Sequence, residues 1–127
     1  MYDGPPVAPE DVVSVYVVLN GSLTMSPGKV ASQAFHCGWL YARYLHIQGD
    51  AWGDAWTEQG RRVSVRLAET AHVFDRVVRE CDGFLQRDEG LQEVEHGSVT
   101  AFVSVPYRRA DAPKILAHKR IQAYGRG

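Results

Sequence analysis

The chain lacks most of the features that announce a function class. Only two of its 127 residues are cysteine, Cys37 and Cys81, and they form no C-x-x-C pair. Two cysteines cannot build a disulfide scaffold or a four-thiolate zinc site. They read as buried thiols in a reducing compartment. No stretch approaches the ~18 unbroken apolar residues of a membrane span. The opening MYDGPPVAPE is acidic and proline-rich rather than basic and apolar, so it does not read as a secretory signal. A cytoplasmic protein with no membrane partner is the expectation. Neither charge is in excess: 14 Lys and Arg oppose 15 Asp and Glu, for a net charge of −1. A chain that binds nucleic acid by charge alone is usually basic. Phosphate-loop and dinucleotide glycine motifs are absent, and so is H-E-x-x-H. His36, His46, His72, His96 and His118 show no paired metal-ligand spacing.

What remains is an ordinary globular composition, 45% hydrophobic and 23% charged, of a length that suits one domain. Residues 1–10 read as a flexible lead-in and 11–127 as a single domain. DVVSVYVVL (11–19) is a β-branched apolar run of strand length, the pattern of a strand covered on both faces. Ser26-Pro27-Gly28 is a helix start, because Ser caps and Pro suits the first helical position. The helix runs to about Leu45, with Val30, Ala34, Cys37, Tyr41 and Leu45 as one apolar stripe. A glycine-broken segment (47–56) follows, with room for a short helix carrying Trp52 and Trp56. RRVSVRL (61–67) alternates, with Val63, Val65 and Leu67 on its buried side. ETAHVFDRVVREC (69–81) is amphipathic, with Val73, Phe74, Val77, Val78 and Cys81 aligned. Strands are expected at 84–90 and 98–105, paired antiparallel, and a last helix from Asp111-Pro113 to about Tyr124. This order predicts an α/β three-layer sandwich: a mixed sheet of about four strands with helices on both faces.

Two places stand out chemically. Lys29, Gln33 and His36 share one face of the first helix, beginning in its first turn. A lysine opposes the helix dipole there, which suggests an anionic partner, although a solvated face is the commoner origin of such a row. Asp88 sits within the 84–90 run, where the strand ends and a candidate turn begins. If that strand runs parallel to the first, Asp88 and the Lys29 loop open on the same edge of the sheet, where α/β proteins bind ligands. An ordinary Asp turn is the alternative. His36 and Cys37 are neighbours on a helix and point about 100° apart, so they make no nucleophile–base dyad. Asp50 and Asp54 flank Trp52 in what reads as a solvated loop, and the Arg61-Arg62 and Arg108-Arg109 pairs read as solvated charge.

With these residues placed, VVLNGSLTMSPGKVASQAFH (17–36) resembles the opening of the archaeal and eukaryotic type of peptidyl-tRNA hydrolase, with Met25, Gly28, Lys29, Ala31, Gln33 and His36 in its pattern. Trp56, Gly60 and the VSV strand resemble that family's next segment. DEGLQEVEHGSVT (88–100) resembles its second motif through Asp88, Gly90, Gly97, Ser98 and Thr100. The likeness spans Val12 to Tyr124. Five positions depart from the pattern. Leu91-Gln92 replace an Arg-Thr pair, Asn20 and Ser22 replace an Arg and an Asp, and Pro27 replaces a basic residue.

The resemblance implies a four-stranded mixed sheet between helices, commonly in a homodimer. It also implies hydrolysis of the ester between a peptide and the terminal ribose of tRNA. No metal or organic cofactor is implied. Lys29, Asp88, Thr100 and Gln92 are then the catalytic candidates, and Gln33, His36, Asn20 and Ser98 the substrate-binding ones. Asp88 would orient or deprotonate water, and Lys29 would stabilise the oxyanion or hold a phosphate. Thr100 and Gln92 would position water or ribose. Gln33 and His36 would support the Lys29 loop or touch the acceptor end of the tRNA. An Asp paired with Lys29 is a poorer base, which favours orienting water over taking its proton. The departures leave a second reading open, a non-catalytic module that holds a tRNA end or another partner on the same fold. A third is a small α/β protein with an unrelated acyl or phosphate ligand.

Overall fold

In a computed structural model, which describes residues 11–47, 51–88 and 98–124, the β-branched run becomes β1 (Val13–Asn20) at the centre of the sheet. Its apolar character on both sides has a direct cause: each face meets a different core. Val13, Val15, Val17 and Leu19 pack with Val30, Cys37, Tyr41 and Trp56, while Tyr16 and Val18 pack with Val73, Phe74 and Val77. The helices α1 (Pro27–Ile47) and α2 (Ala51–Glu58) supply the first layer. α3 (Ala71–Glu80) and two short 3-10 turns, Arg109–Asp111 and Lys114–Ala117, belong to the other.

β1 is flanked by β2 (Val63–Ala68), which runs parallel, and by β4 (Val99–Ser104), which runs antiparallel. β3 (Gly83–Arg87) pairs antiparallel with β4 at one edge, and β6 (Ile121–Ala123) antiparallel with β2 at the other. β5 (Tyr107–Arg108) pairs with the start of β1. The order is β3-β4-β1-β2-β6, in a sheet of six strands rather than about four. The two additional strands have two and three residues, too few for a period to show. β1 and β3 are both antiparallel to β4, so they point the same way. The segments leaving them, one leading to Lys29 and the other to Asp88, therefore emerge at one edge.

The expected last helix does not form. Pro113 opens only a 3-10 turn, which buries Ile115 and Leu116 against α3. Arg66 Nη1 donates to the Leu116 carbonyl at 2.7 Å, where a continuing helix would need its own amide donor. The chain then joins the open edge of β2, with Ala68 opposite Ile121. A segment this short gains little from helical propagation, whereas a bare strand edge offers a row of ready partners. The same contact explains Arg66, whose guanidinium also lies 5.2 Å from the Tyr16 ring centroid instead of in solvent. At the other end of β2 the outcome is reversed, and Val63 is 52% exposed.

The glycine-broken segment does hold a short helix, α2. Trp56 is buried in it, donates from Nε1 to the Arg62 carbonyl at 2.6 Å, and meets Tyr41 edge-on at 5.0 Å. Trp56 is thus part of the core. Asp54 is exposed, and Asp50 lies outside the described residues, as do the lead-in at 1–10 and the departures Leu91 and Gln92.

Candidate active site

The start of α1 fixes the first functional side chain. Ser26 caps the helix, accepting the Lys29 amide on Oγ at 3.2 Å and the Val30 amide on its carbonyl at 3.0 Å. Pro27 takes the first helical position, where its missing N–H costs nothing. Lys29 is therefore held in the first turn. Its Nζ donates to Asp88 Oδ1 at 2.7 Å. The two side chains are 12% and 2% exposed. Asp88 is placed by its own backbone amide, which donates to the Ser98 carbonyl at 2.8 Å. A buried ion pair is weak evidence of stabilisation, because desolvation offsets much of the attraction. One that lines a cleft is better explained by chemistry.

One turn on, Gln33 departs from a solvated face: it is 2% exposed. The reason is α1's seat against the β3–β4 edge. Thr100 Oγ1 donates to Gln33 Oε1 at 2.5 Å and also lies 3.2 Å from the Gln86 carbonyl. Thr100 reaches α1 because the β3–β4 register slips there. Gln86 faces Ala101 and Arg87 faces Val99, which leaves Thr100 with no opposite residue. Such an extra residue re-aims a side chain. Unslipped alternation would put Thr100 on the same face as Phe102, towards α3. It turns instead to the α1 side with Ala101.

Between α1 and β3 lies an open cleft of about 350 Å³. Lys29, Gln33 and His36 line it from α1, and Asp88 from the end of β3. Ser32, Trp39, Leu40 and Gln86 complete the wall, and sequence reasoning missed all four. Gln86 had a usable signal, since it sits two residues before Asp88 and strand side chains alternate. Trp39 follows His36 by three residues, on the same helix face.

The remaining candidates sit elsewhere. Thr100 is fully buried behind Gln33. Asn20 ties the end of β1 to the start of β4, its Nδ2 donating to the Val99 carbonyl at 3.0 Å. Its Oδ1 accepts from the Ser22 amide at 3.1 Å and hydroxyl at 2.6 Å. Ser98 contributes the carbonyl that holds the Asp88 amide. Neither lines the cleft. Gln92 lies outside the described residues.

Neither cysteine lines the cleft. Burial pushes the Cys37 thiol up to about 12. Cys81 is also pushed to about 12, by burial first and then by the charges of Glu80 and Asp82. Both are free and buried. Among the described residues no group of three or more His, Cys, Asp or Glu could hold a metal ion. No described helix is long and apolar enough to cross a membrane.

An ammonium, a carboxylate and a buried amide thus converge on a cleft at the end of two codirectional strands, and comparison with known proteins agrees with that setting. The sequence model of the family described as "Peptidyl-tRNA hydrolase PTH2" matches residues 13–121. A peptidyl-tRNA hydrolase of Methanopyrus kandleri is 30% identical over 106 residues, covering 78% of this chain and 89% of the relative. The family match runs from the first residue of β1 to the first residue of β6, enclosing every element that forms the cleft, and the chain accordingly belongs to the peptidyl-tRNA hydrolase family PTH2.

Proposed function

We propose that this cleft hydrolyses the ester joining a peptide to the terminal ribose of tRNA, with Lys29 and Asp88 as its reactive centre. The observation that carries the reading is the 2.7 Å Lys29–Asp88 pair, buried yet lining the cleft. An ester needs little activation. Water must be aimed at the carbonyl carbon, and the negative charge that grows on the carbonyl oxygen must be met. A carboxylate has about four acceptor sites, so Asp88 can hold the ammonium and still accept from a water. That water adds to the carbonyl carbon. The resulting oxyanion is met by the Lys29 ammonium, which sits in the first turn of α1, at the helix's positive end. Collapse breaks the bond to the ribose oxygen, which takes up the proton lost by the water. Gln33, fixed by Thr100, and His36 border the path of the acceptor end. Asp88, held in place by the ammonium, orients the attacking water by accepting a hydrogen bond from it.

The partner is then the acceptor end of tRNA, met in the cytoplasm, and a homodimer is the expected assembly. Sedimentation of the purified chain measures the latter. The decisive experiment mixes the protein with N-acetyl-aminoacyl-tRNA in the presence of EDTA. Release of the acyl group is expected, with Asp88→Asn and Lys29→Ala each slowing it by at least about tenfold to a hundredfold. Salt-sensitive binding without cleavage would replace the hydrolase by a tRNA-binding module. Cleavage undiminished in both variants would remove the assignment of the centre.

A further inference from the structure

We infer that Trp39 and Arg43 form a platform on which a nucleobase of the substrate's single-stranded 3′ end stacks. The inference rests on the hydrolase reading of the cleft and extends it to a residue pair that the reaction itself does not require. Trp39 lines the same cleft as Lys29 and Asp88, yet it is 56% exposed. Trp56, by contrast, is 8% exposed and engaged in the core. The Arg43 guanidinium lies 4.9 Å from the Trp39 ring centroid. It therefore steadies the indole and places a positive charge beside it.

The register of α1 supplies the second argument. Ser32, His36, Trp39 and Arg43 follow at spacings of four, three and four, a single row that starts in the cleft and runs away from Asp88. From Lys29 to Trp39 the helix rises ~15 Å, at 1.5 Å per residue, a span that a few nucleotides cover. Phe35, one turn before Trp39, is 76% exposed, so the outer side of this row is aromatic as well.

Charge supplies the third. α1 contains Lys29 and Arg43 but no Asp or Glu across its 21 residues, in a chain that carries 15 acids. The near-neutral total thus conceals a positive helix beside the cleft. Aromatic rings interleaved with cations suit single-stranded RNA, whose bases stack on tryptophan and arginine planes while the backbone seeks positive charge. The peptide half of the substrate varies in chemistry from one molecule to the next. The 3′ end does not, so a fixed aromatic and its cation match the constant half.

The test uses the full chain and two readouts. Steady-state hydrolysis of N-acetyl-aminoacyl-tRNA is compared for wild type, Trp39→Ala and Trp39→Phe. Losing one stacked base raises KM by about five- to a hundredfold, and the loss is expected in KM rather than kcat. Phe, which keeps a ring, restores most of it. Separately, the trinucleotide CCA is titrated while tryptophan fluorescence is followed. Quenching is expected in wild type and absent in Trp39→Phe. Unchanged KM in Trp39→Ala with no quenching by CCA overturns the platform. So does a KM penalty that tracks the amino acid carried by one tRNA, which would assign Trp39 to the peptide. Failure of the hydrolase reading looks different: no cleavage by wild type, with the CCA titration still deciding the platform by itself.

Discussion

Replacing the two charges of the reactive centre one at a time and then together separates what the pair does for stability from what it does for catalysis. Lys29→Met leaves the Asp88 carboxylate, 2% exposed, without its ammonium. Removing one partner of a buried pair costs about 3–5 kcal/mol, and the open cleft places this case near the lower figure. About 2.1 cal/mol/K of unfolding entropy per residue makes 1 kcal/mol worth about 4 °C in a chain of 127 residues. A fall in Tm of roughly 12 °C follows. Asp88→Asn keeps the side-chain shape and leaves a lysine that is 12% exposed and can swing into the cleft, so its cost is smaller, about 1–2 kcal/mol. The double variant removes both charges and recovers to within about 1 kcal/mol of wild type, a coupling of at least about 3 kcal/mol. Turnover behaves differently. Each single variant loses at least about tenfold to a hundredfold, and the double regains none of it. Calorimetry of the four proteins alongside hydrolysis of N-acetyl-aminoacyl-tRNA reads both quantities. A double variant that cleaves like wild type would refute the reasoning, and so would a Lys29→Met protein that keeps both its Tm and its rate.

Further outcomes follow from other contacts. Thr100→Val removes the hydroxyl donor to Gln33 Oε1 and leaves a buried amide oxygen unmet, at about 1–3 kcal/mol; denaturant melts and kcat should both fall, and Thr100→Ser should restore them. Gly83→Ala would put a Cβ 2.1 Å from the Val103 carbonyl oxygen, a backbone atom in the paired strand, and should destabilise by at least about 2 kcal/mol. Gly38→Ala meets nothing within 4 Å on an exposed turn of α1 and should instead stabilise by about 0.5–1 kcal/mol. Folded Cys37, Cys81 and Tyr107 titrate near 12 against ordinary values of 9, 9 and 10, with burial as the largest cause in each case. Their unfolded forms lose protons first as pH rises, so stability should hold below about pH 9 and decline from there towards pH 12. Melting scans across that range check the sign, and iodoacetamide should leave both thiols unmodified until the chain unfolds.

The sequence alone determined the elements whose pattern is local. The β-branched run at β1 reads as a strand covered on both faces, Ser26-Pro27 as a helix start, and the stripe from Val73 to Cys81 as the packed side of a helix. It also placed Lys29 in a first turn and Asp88 beyond a strand, because caps, periods and turns are written within a few residues. Tertiary structure decided what depended on distant segments meeting. That β1 and β3 point the same way follows from β4 lying between them, antiparallel to both. That Gln33 is buried rather than solvated follows from α1 resting on the β3–β4 edge. The last segment shows local signal losing: helix-start chemistry at Pro113 gave way to the unpaired edge of β2, which captured Ile121–Ala123. Thr100 is the clearest case, for a one-residue slip between two strands turns it from one face of the sheet to the other, and no pattern within either strand reveals where a register will slip.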